Sequence, residues 1–178
     1  RLESGGMVYM QDVELEGKMN ADKGGIGGFF KAIARSIGSG ESIFVTIAEG
    51  VSGQARIGIA PSTPGVVRAL KVGEKQYCLN TGAFLACDES VNYELITQNL
   101  GKALFGGTGG LFVMKTNGSG DLLVNAFGDL LELQVTSDRP IIIDNEHVVA
   151  WDSNLDYQIK VASGTIGFKT GEGLRSEE

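Results

Sequence analysis

Residues 40–47, Gly-Glu-Ser-Ile-Phe-Val-Thr-Ile, return in altered form as Gly-Gly-Leu-Phe-Val-Met-Lys-Thr at 109–116. A second run follows each copy, Gly53 to Ala60 in one case and Gly120 to Phe127 in the other. Each copy then closes on a related phrase: Leu-Ala-Cys-Asp-Glu-Ser-Val-Asn-Tyr-Glu-Leu (85–95) and Val-Ala-Trp-Asp-Ser-Asn-Leu-Asp-Tyr-Gln-Ile (149–159). Self-similarity of this kind means one supersecondary unit used more than once, and it restricts the fold more than any single residue does. It names no reaction.

The unit is read as β. Strand-like alternation and turn signals recur at short intervals, as in a sandwich or closed barrel. Met7-Val-Tyr-Met and Val13-Glu-Leu-Glu suggest a first hairpin turning at Gln11-Asp12, and 42–48 with 55–60 a second pair around Gly50 and Gly53. Strands at 66–72 and 76–80 flank Gly73-Glu74, and 84–87 with 91–96 flank Asp88. The second unit is expected at 111–116, 121–126, 130–135, 140–144, 147–151 and 155–161, with Asn117-Gly118 as a hairpin turn. Glycine supports this reading: 27 of 178 residues is roughly twice the usual share, and turns and bulges need φ > 0.

One segment breaks the β rhythm. Phe29, Phe30, Ile33 and Ile37 fall at helical spacing, with Lys31 and Arg35 between them, which predicts a short amphipathic helix over 27–37. Such a helix either plugs the open end of a barrel or lies on a membrane surface or a partner. The unit boundary is placed in the glycine-rich stretch 99–110. Residues 1–98 then form a first unit carrying the inserted helix, and 99–178 a second unit with the start of a third near 168–174. The opening and closing phrases read as parts of a larger array.

Six phrases stand in order: Met-Val-Tyr-Met (7–10), Ser-Gly-Glu-Ser-Ile-Phe (39–44), Ala-Pro-x-x-Pro-Gly (60–65), Gly-Ala-Phe-Leu-Ala (82–86), Lys-Ala-Leu-Phe-Gly-Gly-x-Gly-Gly-Leu-Phe (102–112) and Val-Val-Ala-Trp-Asp (148–152). Together they resemble the altered-inheritance-of-mitochondria type-24 family, in its bacterial branch. The resemblance implies an all-β architecture, a double-stranded β-helix or barrel-like sandwich related to the tryptophan-RNA-binding attenuation protein. It implies little about function and supplies no catalytic residues.

Composition excludes several chemistries. The net charge of −7 and the lack of basic runs argue against nucleic acid, because phosphate contacts need clustered Lys and Arg. His147 is the only histidine, so a cupin-type metal site and a Ser–His–Asp triad both lack parts. The clusters Gly24-Gly25-Ile-Gly27-Gly28 and Gly106-Gly107-Thr-Gly109-Gly110 carry neither the Lys-Ser/Thr ending of a phosphate loop nor the dinucleotide spacing. Asp88 and Asp152 occupy matching places, followed by Tyr93 and Tyr157. An Asx turn with a packed tyrosine ring explains them better than a carboxylate pair. Cys78 and Cys87 read as small apolar fillers in a reducing compartment, hence a cytoplasmic protein. No apolar run reaches about 18 residues, the length of a membrane-spanning helix.

These readings converge on a non-enzymatic β scaffold or interaction protein without a cofactor, expected to be a homo-oligomer, since repeated units leave strand edges that pair with another copy. The alternative is a small-molecule or membrane-surface binding module using Phe29, Phe30, Lys31, Ile33, Arg35 and Ile37.

Overall fold

The computed structural model describes residues 1–19, 44–97, 112–160 and 175–177. These residues are mostly strand, and the chain is all-β. In order they form β1 (Leu2–Glu3), β2 (Met7–Gln11), β3 (Val13–Met19), β4 (Phe44–Gly50), β5 (Arg56–Ile59), β6 (Gly65–Val72), β7 (Tyr77–Asn80) and β8 (Phe84–Cys87). Then come β9 (Val91–Thr97), β10 (Phe112–Gly118), β11 (Gly120–Phe127), β12 (Ile142–Asp144), β13 (Ala150–Asp152), β14 (Gln158–Lys160) and β15 (Arg175–Glu177). Two 3-10 turns, Thr81–Ala83 and Asn145–His147, are the only helical elements among the described residues. The predicted helix over 27–37 and the boundary at 99–110 lie outside the described residues.

The pairing is the main departure from the sequence reading. Strands run β3-β4-β1-β8-β11-β6 in a six-stranded sheet and β13-β7-β10-β9 in a four-stranded one. Two smaller sheets hold β12-β15-β14 and β2-β5. No two strands joined by a short described turn pair with each other. The hairpin expected across Gln11-Asp12 is instead a corner: β2 pairs with β5, and β3 with β4. A single residue, Asp12 at φ 53, separates β2 from β3, too short for the two-residue turn that would fold them together. Asn117-Gly118 is likewise a corner. Gly118 (φ 109) and Gly120 (φ 141) swing the chain from the four-stranded sheet, where β10 lies, to the six-stranded sheet, where β11 lies. The strand expected at 130–135 is irregular, with no ladder partner among the described residues; alternation without a neighbour does not make a strand.

Three central strands have matching surroundings. β4 lies between β3 and β1, β10 between β9 and β7, and β15 between β14 and β12. β3 and β4 pair from Val13 opposite Gly50 to Met19 opposite Phe44. β9 and β10 pair over an equal length, from Val91 opposite Gly118 to Thr97 opposite Phe112.

The core lies between the two large sheets. Val72, Phe84, Cys87, Leu122 and Val124 from one meet Leu79, Val91 and Met114 from the other. Leu79, Leu85, Leu122, Val91, Val113 and Val124 are the largest fully buried side chains, each contributing about 1.5–3 kcal/mol through apolar burial. All four residues of β8 are buried. That strand has β1 on one side and β11 on the other, which explains its unbroken apolar run. Asn125, also buried, donates from Nδ2 to the carbonyls of Ala83 (3.2 Å) and Phe84 (3.5 Å), so its amide is not stranded in the core.

Candidate interaction surface

Every residue of β2 is exposed, although four of its five side chains are apolar. Met7 is 37% exposed, Val8 64%, Tyr9 59% and Met10 47%. A strand with one polar and one apolar face would bury every second residue; β2 buries neither alternate set of its side chains. Its one ladder partner among the described residues is β5, with Met10 opposite Ile57 and Gln11 opposite Arg56. Below the strand, Ala60 N donates to Gly6 O at 2.9 Å. Above it, the Asp12 corner is fixed by Val51 N donating to Asp12 O (2.9 Å) and Ser52 Oγ to Asp12 Oδ2 (3.0 Å). The surface is thus held at both ends, and no other described strand pairs along its outer edge.

Comparison with β8 shows what β2 lacks. In β2 the register against β5 slips between Met7 and Tyr9, so that Val8 is passed over. In β8 the register against β11 slips between Phe84 and Ala86, passing over Leu85. The two strands share a bulge, yet Leu85 is 0% exposed and Val8 64%. β8 has a second neighbour, β1, where β2 has none among the described residues. An unpaired apolar edge is a template for strand addition.

The residues singled out in the sequence fall elsewhere. Phe29, Phe30, Lys31, Ile33, Arg35 and Ile37 lie outside the described residues. Asp152 makes the expected Asx turn, its Oδ1 accepting from Asn154 N at 3.1 Å. Asp88 instead reaches across the sheet, its Oδ2 accepting from Asp121 N at 2.8 Å. Tyr93 packs on Phe84 with ring centroids 5.7 Å apart, and Tyr157 on Trp151 at 5.1 Å. Burial pushes the Tyr93 hydroxyl up to about 12. Its oxygen is buried without a hydrogen-bond partner among the described residues, as is Trp151 Nε1. His147 sits exposed at the end of a 3-10 turn rather than on a strand. Cys78 and Cys87 are free and buried, and burial raises the pKa of both thiols, which makes them poor nucleophiles. Among the described residues no group of three or more His, Cys, Asp or Glu could hold a metal ion, and no helix is long and apolar enough to cross a membrane.

The sequence carries little sign of the exposure of β2. The only signal was that 7–10 is apolar at all four positions, a pattern that in Phe84–Cys87 accompanies full burial.

Comparison with known proteins places this geometry. The profile of the family described as Mitochondrial biogenesis AIM24 matches residues 1–177. An uncharacterised protein of Streptococcus pyogenes serotype M6 is 48% identical over 183 aligned positions, covering 97% of this chain and 73% of that protein. The X-ray structure of another Streptococcus pyogenes protein, solved as a structural-genomics target, superimposes with a TM-score of 0.76 at 44% identity. That match covers 99% of this chain and 76% of the solved one.

Proposed function

The chain belongs to the AIM24 family, and from that membership we propose that it works as a non-enzymatic β scaffold that associates with itself. One observation carries the reading. β2 presents four exposed apolar side chains along a sheet edge with no neighbour among the described residues, a surface whose burial favours association. The acidic net charge of −7 makes nucleic acid a poor occupant of such a face.

The architecture of the scaffold is an internal repeat. The matching surroundings of β4, β10 and β15, the equal lengths of the β3–β4 and β9–β10 ladders, and the shared bulge of β2 and β8 all support one unit used successively. Corners that pass the chain from sheet to sheet suit a β-helix or barrel-like sandwich. Free, buried thiols suit a reducing compartment such as the cytoplasm.

Light scattering on the purified chain tests the function. A particle mass that is a multiple of 18.8 kDa is expected at micromolar concentration, and a strict monomer at every concentration overturns the reading.

A further inference from the structure

We infer that Met7 and Met10 form a paired oxidation site on β2, at which a hydroperoxide converts both thioethers to sulfoxides and turns an apolar face polar. The bulge makes the pair. Met7 stands opposite Ile59, Tyr9 opposite Gly58 and Met10 opposite Ile57. Positions three apart on a regular strand point to opposite faces. The residue inserted at Val8 removes that offset. Ile57 and Ile59, two apart on β5, share a face, and directly opposite residues share theirs. Met7 and Met10 therefore lie with Ile57 and Ile59 on one side of the β2–β5 ribbon, and the Tyr9 ring lies with Gly58 on the other.

Exposure selects these two sulfurs. Met7 and Met10 are exposed, whereas Met114 lies in the core at 6% exposure. A thiolate ordinarily competes with a thioether for peroxide. Here Cys78 and Cys87 are buried, and burial raises the pKa of both, so little thiolate is presented. The methionine step then runs first. A sulfur lone pair attacks the terminal peroxide oxygen, and the S–O bond forms as the O–O bond breaks. The second oxygen takes up the proton of the transferred one and leaves as water or an alcohol. Sulfur gives up two electrons and the peroxide accepts them.

The consequence is a change of surface with the core left intact. Each sulfoxide sets a polar, chiral group where a flexible apolar one stood, beside the half-buried Ile57 and Ile59. Because the sulfurs share a face, both oxygens land on the same side. Methionine sulfoxide reductases return each sulfoxide to thioether, so the change is reversible. The site consists of the chain's own side chains and holds whether or not the chain associates with itself.

Hydrogen peroxide added to the native chain, followed by peptide mass spectrometry, tests the site. Oxygen is expected on Met7 and Met10 at least ~10-fold faster than on Met114, with the rates converging in guanidinium. Binding of a hydrophobic dye should fall as the two sulfoxides form, while far-UV circular dichroism stays unchanged. Methionine sulfoxide reductase with a dithiol should restore the dye signal. Met7→Leu/Met10→Leu keeps an apolar face without sulfur, and its dye binding should not respond to peroxide. Met7 and Met10 reacting as slowly as Met114 in the native chain overturn the site. Dye binding that falls as much in the double variant as in wild type overturns the change of surface, as does loss of the circular dichroism signal on oxidation.

Discussion

The Tyr9 ring lies against Gly58 on the neighbouring strand, so close that a β-carbon at residue 58 would clash with ring carbons Cε1, Cδ1 and Cζ. Glycine weakens a strand, and an aromatic side chain laid over it restores cover. Gly58→Ala should therefore displace the ring and destabilise the chain by about 1–3 kcal/mol, the usual cost of overpacking. In a Tyr9→Ala background the same substitution should cost under about 0.5 kcal/mol, because the clash is gone. Chemical denaturation of the four proteins measures the difference.

Gly118 combines a φ of 109 with the Ser90 carbonyl oxygen where a side chain would stand. Gly118→Ala is expected to lose about 2–4 kcal/mol, combining left-handed strain with a backbone clash. The corner is also tied by Gln76, whose Nε2 donates to both Gly73 O and Gly118 O at 2.9 Å. Gly73→Ala is the control. Nothing lies within 4 Å of its added carbon, and a change within about 0.5 kcal/mol is expected in urea melts.

Burial holds the Tyr93 hydroxyl neutral up to about 12, above its ordinary value of 10.0. The neutral form is favoured in the folded state, so stability is complete below pH 10 and declines as pH rises from about 10 to about 12. Tyr93→Phe should flatten that decline. It should also leave neutral-pH stability equal or higher, since the hydroxyl it removes has no partner among the described residues. Guanidinium melts at pH 7, 10 and 11.5 provide the comparison, and a loss above about 1 kcal/mol at pH 7 contradicts it.

Cys78 and Cys87 are each near 5–7% exposed. Their reaction with a thiol-specific dye at pH 8 is expected to be at least ~100-fold slower in the native chain than in denaturant. Comparable rates in the two states would mean that the sheets open easily.

Strands were legible because alternation and full apolar runs report burial: Phe84–Cys87 and 121–126 were placed to within a residue or two of β8 and β11. Partners were not legible. Asp12 and Gly118 carry turn signals in the sequence, but whether a turn doubles a strand back or sends it to another sheet depends on what waits across the corner. The same limit hid the candidate surface. Met7-Val-Tyr-Met and Phe84-Leu-Ala-Cys look alike as sequence. They differ only in that β1 lies against one and nothing described lies against the outer edge of the other.

The place of β1 has a consequence for synthesis on the ribosome. Leu2 is held by Thr46 on one side and Ala86 on the other, so this strand waits for much of the following chain before its seat exists. At about 5–20 residues per second, that interval is on the order of 4–17 s. During it the nascent segment stays uncovered and available to chaperones, and synonymous changes that slow translation between the two positions should lengthen that window.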